Sequence, residues 1–266
     1  MRLGRVHGAL AEVRDGSFRP LSSRGLEELL REGVDVASLE PLGDWRELEA
    51  LEAPLRPGKI IAVGLNYLDH IREAGAEAPD RPVLFPKLVS SVVGPGETIV
   101  VDRSLTARVD WEVELAVVIG SRLRDVAAGD ALDGVFGYTV ANDVSARDVQ
   151  VAEQQWLRAK GFDTFCPLGP VVVTRDEVPD PQALRLATRV NGETVQDSST
   201  SEMLLGVAEL VSYTSRGITL EPGDVLLTGT PWGCGEFMDP QRSLADGDVV
   251  EVEVGGIGVL RNPVRG

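Results

Sequence analysis

Two glutamates one residue apart, in the strand-like run Asp110-Trp111-Glu112-Val113-Glu114-Leu115-Ala116-Val117-Val118-Ile119-Gly120, are the groups in this chain best spaced to do chemistry. Side chains alternate faces along a strand. Glu112 and Glu114 therefore share one side with Ala116 and Val118, while Trp111, Val113, Leu115, Val117 and Ile119 line the other. Carboxylates held so close resist joint ionisation unless a cation or a shared proton intervenes. A hard divalent ion such as Mg²⁺, Mn²⁺ or Ca²⁺ is the natural counterpart, because such ions take oxygen ligands. A face that simply meets water would also tolerate the pair, and from this run alone that simpler reading stands ahead.

Other stretches carry groups of the right kind. The apolar run from Val135 ends on Asn142-Asp143 where a helix is expected to begin, which puts Asp143 at a strand end, free to act as a third oxygen ligand or merely as a turn or capping residue. In Leu68–Ala74, read as a helical turn, His70 and Glu73 share a face at i, i+3. A carboxylate that orients an imidazole makes a general base near neutral pH. The same spacing also describes an ordinary surface ion pair, worth little. Lys160 closes an expected helix, where it either complements the helix dipole or delivers an ammonium into a site. The Gly-rich stretch Thr228-Gly229-Thr230-Pro231-Trp232-Gly233-Cys234-Gly235 offers amides and a hydroxyl suited to an anion such as a substrate carboxylate, or serves as a structural loop.

The elements that must position these groups are mostly strands. The patterns predict strands at Thr98–Val101, Trp111–Ile119, Gly134–Ala141, Val171–Thr174, Leu186–Val190, Asp224–Thr228 and Val249–Val254, after an opening strand at Ile60–Gly64. Asn191-Gly192 between apolar runs signals a hairpin turn. Helices are expected near Gly25–Glu32, over about Ser145–Lys160 with Ser145 as N-cap and Gly161 as stop, and over about Ser201–Ser215. Residues 1–50 read as a small N-terminal module, and Leu51–Gly58, with Pro54 and Pro57, as a linker. Strands outnumber helices and rarely alternate with them, which points to an α+β, mostly β fold rather than a doubly wound sheet.

The chain has 266 residues, 43% hydrophobic and 26% charged, enough for a substantial core. With 42 acids against 26 bases it carries a net charge of −16, which argues against nucleic acid and anionic membrane surfaces as partners. An anionic substrate would then need local positive charge, which a bound metal supplies. Cys166 and Cys234 lack the spacing of a zinc or redox motif, so buried free thiols are expected, with a disulfide left open. No run reaches membrane-spanning length and the start has no apolar signal region, so a cytoplasmic protein is expected.

In this order, these segments resemble the fumarylacetoacetate hydrolase superfamily over about residues 58–264. The strings that carry the resemblance are Gly64-x-Asn66-Tyr67-x-x-His70-x-x-Glu73, Phe85-Pro86-Lys87 with Gly94-Pro95-Gly96, the glutamate run through Gly120, Asn142-Asp143-Val144-Ser145-Ala146-Arg147-Asp148, Lys160-Gly161-x-Asp163-Thr164 and Thr228-Gly229-Thr230-Pro231. Each is weak alone, while together in register they are specific. Leu88 departs from the pattern, since a proline usually follows the lysine. The resemblance implies a mixed β-sandwich roll as a catalytic domain over 58–266, commonly a homodimer. It implies Mg²⁺, with Mn²⁺ or Ca²⁺ as alternatives, held by Glu112, Glu114 and Asp143. It implies His70 and Glu73 as an acid/base dyad, Lys160 as a catalytic neighbour of metal and substrate, and Thr230 on the substrate side; Arg147, Gln150 and Lys87 fall in matching motifs as further substrate contacts. The implied activity is on a small 2-oxo or β-diketo (di)carboxylate through a metal-stabilised enolate, as a C–C bond hydrolase or a 2-hydroxyhepta-2,4-diene-1,7-dioate isomerase. The alternatives are oxaloacetate decarboxylase or tautomerase activity, or a catalytically silent protein that binds an oxo acid. Retention of both His70 and Glu73 speaks against silence, because binding alone needs no base.

Overall fold

The glutamate run becomes the spine of the larger of two main sheets in the computed structural model, which describes residues 1–266. The Val113–Ile119 strand pairs antiparallel with Val135–Asn142 on one side and Val225–Leu227 on the other. All seven of its residues are buried, because both of its faces are covered. Val113, Leu115 and Val117 pack into a core shared with Leu186, Val190, Val252 and Leu260 of the second sheet. Ala116 and Val118 face a second core with Leu3, Leu26, Leu168 and Leu227. Full burial of each such aliphatic side chain stabilises the fold by about 1.5–3 kcal/mol, so the strand is firmly anchored. The solvent-facing alternative for Glu112 and Glu114 is thereby excluded: both are buried.

The larger sheet has eleven strands and mixed direction, with Val225–Leu227 parallel to Ile60–Gly64 and the latter antiparallel to Val83–Lys87. The second sheet has five strands, in the order Glu193–Ser199, Arg185–Val190, Val249–Val254, Gly258–Arg265 and Ile99–Val100. The fold is α+β and mostly β, two sheets packed on a shared core, as the strand pattern anticipated. The first fifty residues extend the larger sheet: Arg2–Val6 pairs with Cys166–Thr174, and Leu3, Leu10, Leu21 and Leu26 enter the same core as Val172. Asn191 and Gly192, both at positive φ, turn the chain between Arg185–Val190 and Glu193–Ser199 as their types dictate.

Several expected elements are drawn differently. The single helix expected over Ser145–Lys160 is instead a short strand and two helices, Arg147–Glu153 and Trp156–Lys160. Ser145 pairs with Asp110 and its hydroxyl donates to the Asp143 carbonyl at 2.8 Å, so it cannot serve as the N-cap; Ala146 stands there with no side-chain cap. Gln154 adopts φ 58 and breaks the run, while Gly161 is the C-cap where the stop was expected. The helix expected from Ser201 begins only at Val207, after Gly206, whose N–H donates to Glu209 at 2.8 Å; Thr200–Glu202 is a separate 3-10 turn. No helix is long and apolar enough to cross a membrane. Cys166 and Cys234 are buried and unbonded to each other.

Candidate active site

Antiparallel register brings the three carboxylates together. Val113 faces Asn142, so the next pair outward is Glu112 and Asp143. The Asp143 N–H donates to the Glu112 carbonyl at 2.9 Å, and the Glu112 N–H donates to Asn142 Oδ1 at 3.0 Å. Glu114, one pleat further in on the same face, completes a group in which one oxygen from each of Glu112, Glu114 and Asp143 lies within 4.8 Å of the others.

Three buried cations surround this group. Lys160 Nζ donates to Glu112 Oε2 at 2.6 Å and Asp143 Oδ2 at 2.8 Å. Arg147 Nη2 lies 2.7 Å from Glu112 Oε1 and 2.8 Å from Asp110 Oδ2. Lys87 Nζ donates to Asp143 Oδ1 at 2.5 Å and also contacts the Lys160 carbonyl. Burial pushes the Glu112 carboxyl up, but Lys160 and Arg147 outweigh it and hold the group down at about 2. Burial likewise opposes the Lys160 ammonium, and Asp143 and Glu112 reverse that, so its pKa is raised. Glu114 differs: burial, then the charges of Asp143 and Glu112, push its carboxyl well up, and its one hydrogen bond is from the Gly229 N–H at 2.7 Å.

A hard divalent cation fits this donor set. Asp110, Glu112, Glu114 and Asp143 are four buried acids against the three cations Lys87, Arg147 and Lys160, and Glu114 is the acid without an ion-pair partner. Unpaired buried charge is strongly unfavourable, and an oxygen-seeking ion at the three converging carboxylates would relieve it.

The His70–Glu73 spacing also produces a real pair. The Leu68–Glu73 helix holds His70 Nδ1 3.2 Å from Glu73 Oε2, and Glu73 Oε1 accepts the Gly233 N–H at 2.8 Å. Asn66 ties the segment before this helix to the Thr228 carbonyl at 2.9 Å and to both backbone groups of Leu205 at 3.1 Å. Gly229 approaches so closely that an added Cβ would lie 3.1 Å from both Asn66 Cβ and the Val63 carbonyl; with φ at 96°, only glycine fits.

A cavity of about 280 Å³ connects these parts. His70, Glu112, Arg147, Gln150, Lys160 and Thr230 supply polar lining, while Leu65, Phe85, Trp156 and Phe237 form apolar walls. Arg147 Nη1 donates to Gln150 Oε1 at 3.1 Å, so the two act as one polar end. Lys87 lies against Asp143 with its side chain shut off from solvent, and neither of the two is among the residues lining the cavity.

Two functional neighbours went unassigned in the sequence. Asp110 anchors Arg147 and accepts N–H groups from Trp111, Gly235 and Glu236. Gln196, from the second sheet, donates to Thr230 Oγ1 at 3.0 Å and accepts the Val113 N–H at 3.1 Å. A glutamine on a hairpin strand gives no local signal of such a bridge. Trp156 packs edge-on against Phe85 at 5.2 Å, over Gly64, where any Cβ would meet its ring.

The arrangement can bind a small anion beside a divalent ion and move a proton with a carboxylate-oriented imidazole. Known proteins share its frame. Residues 59–265 match the family described as "Fumarylacetoacetate (FAA) hydrolase C-terminal". The chain is 43% identical over 258 residues to "Oxaloacetate tautomerase FAHD2A, mitochondrial" of Bos taurus, covering 93% of this chain and 82% of that protein. Among solved structures, a fumarylacetoacetate hydrolase from Exiguobacterium antarcticum superposes with a TM-score of 0.86 at 41% identity, covering 99% of this chain and 98% of that one. A 2-hydroxyhepta-2,4-diene-1,7-dioate isomerase from Mycobacterium marinum gives 0.83 at 37%, covering 100% and 98%. With the family match spanning most of its length and these enzymes so similar in sequence and shape, the chain belongs to the fumarylacetoacetate hydrolase family and is an enzyme of it.

Proposed function

We propose that this enzyme interconverts the keto and enol forms of a small 2-oxo dicarboxylate, with oxaloacetate as the first candidate and Mg²⁺ as the ion. The observation that carries the reading is that His70, Glu112 and Arg147 line one small cavity, which sets a base, the edge of an ion-binding cluster and a carboxylate clamp within reach of one short diacid. The activity printed in the name of the bovine relative supports the same choice.

An ion held by Glu112, Glu114 and Asp143 would supply the positive charge that attracts the 2-oxo acid and favours enolisation. Arg147, fixed by Asp110 and Gln150, holds the distal carboxylate. With Nδ1 committed to Glu73, the other ring nitrogen of His70 is left to take the proton from the carbon next to the 2-oxo group and later return it. The Glu73 carboxylate stabilises the imidazolium formed meanwhile. Lys160 stays an ammonium against its two carboxylates, so it acts by charge rather than as a base. Phe85, Trp156 and Phe237 keep bulk water from the exchanging proton.

A second reading, proton shift along a longer unsaturated diacid, uses the same parts and is supported by the similarity to the Mycobacterium marinum isomerase. One panel separates the readings: loss of enol absorbance and deuterium uptake with oxaloacetate, alongside turnover of 2-hydroxyhepta-2,4-diene-1,7-dioate, acetylpyruvate and fumarylpyruvate. Cleavage of an acylpyruvate with no effect on oxaloacetate would move the enzyme to the hydrolase branch.

A further inference from the structure

Beside the oxygen-only cluster stands a second group of potential ligands with different chemistry. One donor atom each from His70, Glu73 and Cys234 lie within 4.8 Å of one another. The individual spacings are 3.2 Å from His70 Nδ1 to Glu73 Oε2 and 3.9 Å from His70 Nδ1 to Cys234 Sγ. Zinc bonds of about 2.0–2.1 Å to nitrogen and oxygen and about 2.3 Å to sulfur, arranged tetrahedrally, require edges of roughly 3.4–3.6 Å. The third spacing, Glu73 to Cys234, lies within 4.8 Å, so the donors need to close by at most about 1.3 Å to meet one ion. We propose that His70, Glu73 and Cys234 form an inhibitory site for zinc, separate from the carboxylate cluster.

Several features make this a built site. The Gly233 N–H holds the free oxygen of Glu73 at 2.8 Å, the kind of outer contact that orients a metal ligand. Of the three donors, His70 also lines the cavity, which sets this group at the cavity edge. Nitrogen, sulfur and one carboxylate favour zinc over magnesium, whereas the all-oxygen cluster does the reverse. Cys234 belongs to neither the carboxylate cluster nor the cavity lining.

The inhibitory consequence rests on the proposed role of His70 as base. That role requires the imidazole hydrogen on Nδ1, toward Glu73, and a free lone pair on the other nitrogen. Zinc on Nδ1 moves that hydrogen to the other nitrogen, which then cannot accept a substrate proton. The thiol proton of Cys234 is released to solvent as the sulfur coordinates, so one proton leaves per ion bound.

The test uses the full chain in saturating Mg²⁺. Zinc is titrated against tautomerase activity in wild type and in Cys234→Ser, and Co²⁺ is added to both as a spectroscopic probe. Wild type is expected to be inhibited, with inhibition weakened by roughly 100-fold or more in the variant, since even an outer-shell change costs 10–100-fold in affinity. Cobalt should give a thiolate charge-transfer band in wild type alone. Equal zinc sensitivity in the two proteins, or no thiolate band in wild type, would overturn the proposal. The cobalt band needs no turnover, so it decides the metal site even where the assigned reaction proves wrong.

Discussion

Lys87 and Asp143 meet at 2.5 Å with both side chains wholly shut off from solvent. The contact places Lys87 to support Asp143, one of the three carboxylates proposed to hold the ion. Lys87→Met should leave a buried aspartate short of a partner, lowering stability by about 3–5 kcal/mol as for other broken buried pairs. Urea denaturation checks this. Mg²⁺ affinity by calorimetry should fall with it, and an unchanged affinity would contradict the supporting role.

The dyad separates proton transfer from binding. His70→Ala and Glu73→Gln should each lower kcat by roughly 10²–10⁴-fold, the usual worth of a positioned acid/base. Mg²⁺ affinity should stay near the wild-type value, because neither residue belongs to the oxygen cluster. Steady-state kinetics and metal titration on the same preparations test the separation.

The two glutamates give opposite pH signatures in metal-free protein. The Glu114 pKa is raised by burial and its acidic neighbours, so its folded form binds a proton more readily than the unfolded chain. Its contribution to stability is therefore present below the unfolded value of about 4.3 and is lost as pH rises towards the folded value. Glu112, held at about 2 by Lys160 and Arg147 against the effect of burial, contributes stability above about 4.3 that is lost as pH falls towards 2. Thermal melts in EDTA should show the loss on the alkaline side, and Glu114→Gln should flatten it. Mg²⁺ at about 100 times its Kd should restore about 2.7 kcal/mol. A melt unaffected by Mg²⁺ at neutral pH would count against the oxygen site.

Gln196 links the two sheets at the cavity edge. Gln196→Leu should strand the Thr230 hydroxyl and the Val113 N–H, costing about 1–3 kcal/mol per buried group left unpaired. Thr230 loses its orientation at the same time, so KM should rise more than kcat falls. A variant with wild-type melting temperature and KM would show that the bridge is dispensable.

Much of the site was legible because its signals are local. The i, i+2 glutamates, Asp143 at a strand end and the i, i+3 His70–Glu73 pair each express a single element's periodicity; the structure gathers the three acids into one group, pairs His70 with Glu73, and sets His70 and Glu112 on one cavity. Partners fixed by long-range packing left no such trace. Gln196 reaches Thr230 across sheets, and Asp110 reads as one more acid until Gly235 and Glu236 fold back onto it. The pairing of Lys87 with Asp143 is likewise set by long-range packing and leaves no mark in the sequence. The break at Gln154 escaped notice because the stretch around it is polar and continuous, and a left-handed glutamine is not foretold by its type. Ser145, a sound N-cap by composition, was claimed instead by pairing with Asp110.

The pairing of Val113 with Asn142 does more than assemble the cluster. A slip of one residue along this strand pair would turn Glu112 and Glu114 to the opposite face, away from Asp143. Any ion that prefers the three gathered carboxylates therefore rewards one alignment of the central sheet and no other. An ion bound at these carboxylates would thus add its binding free energy to the native alignment alone, so that ligand binding and strand register would be one equilibrium.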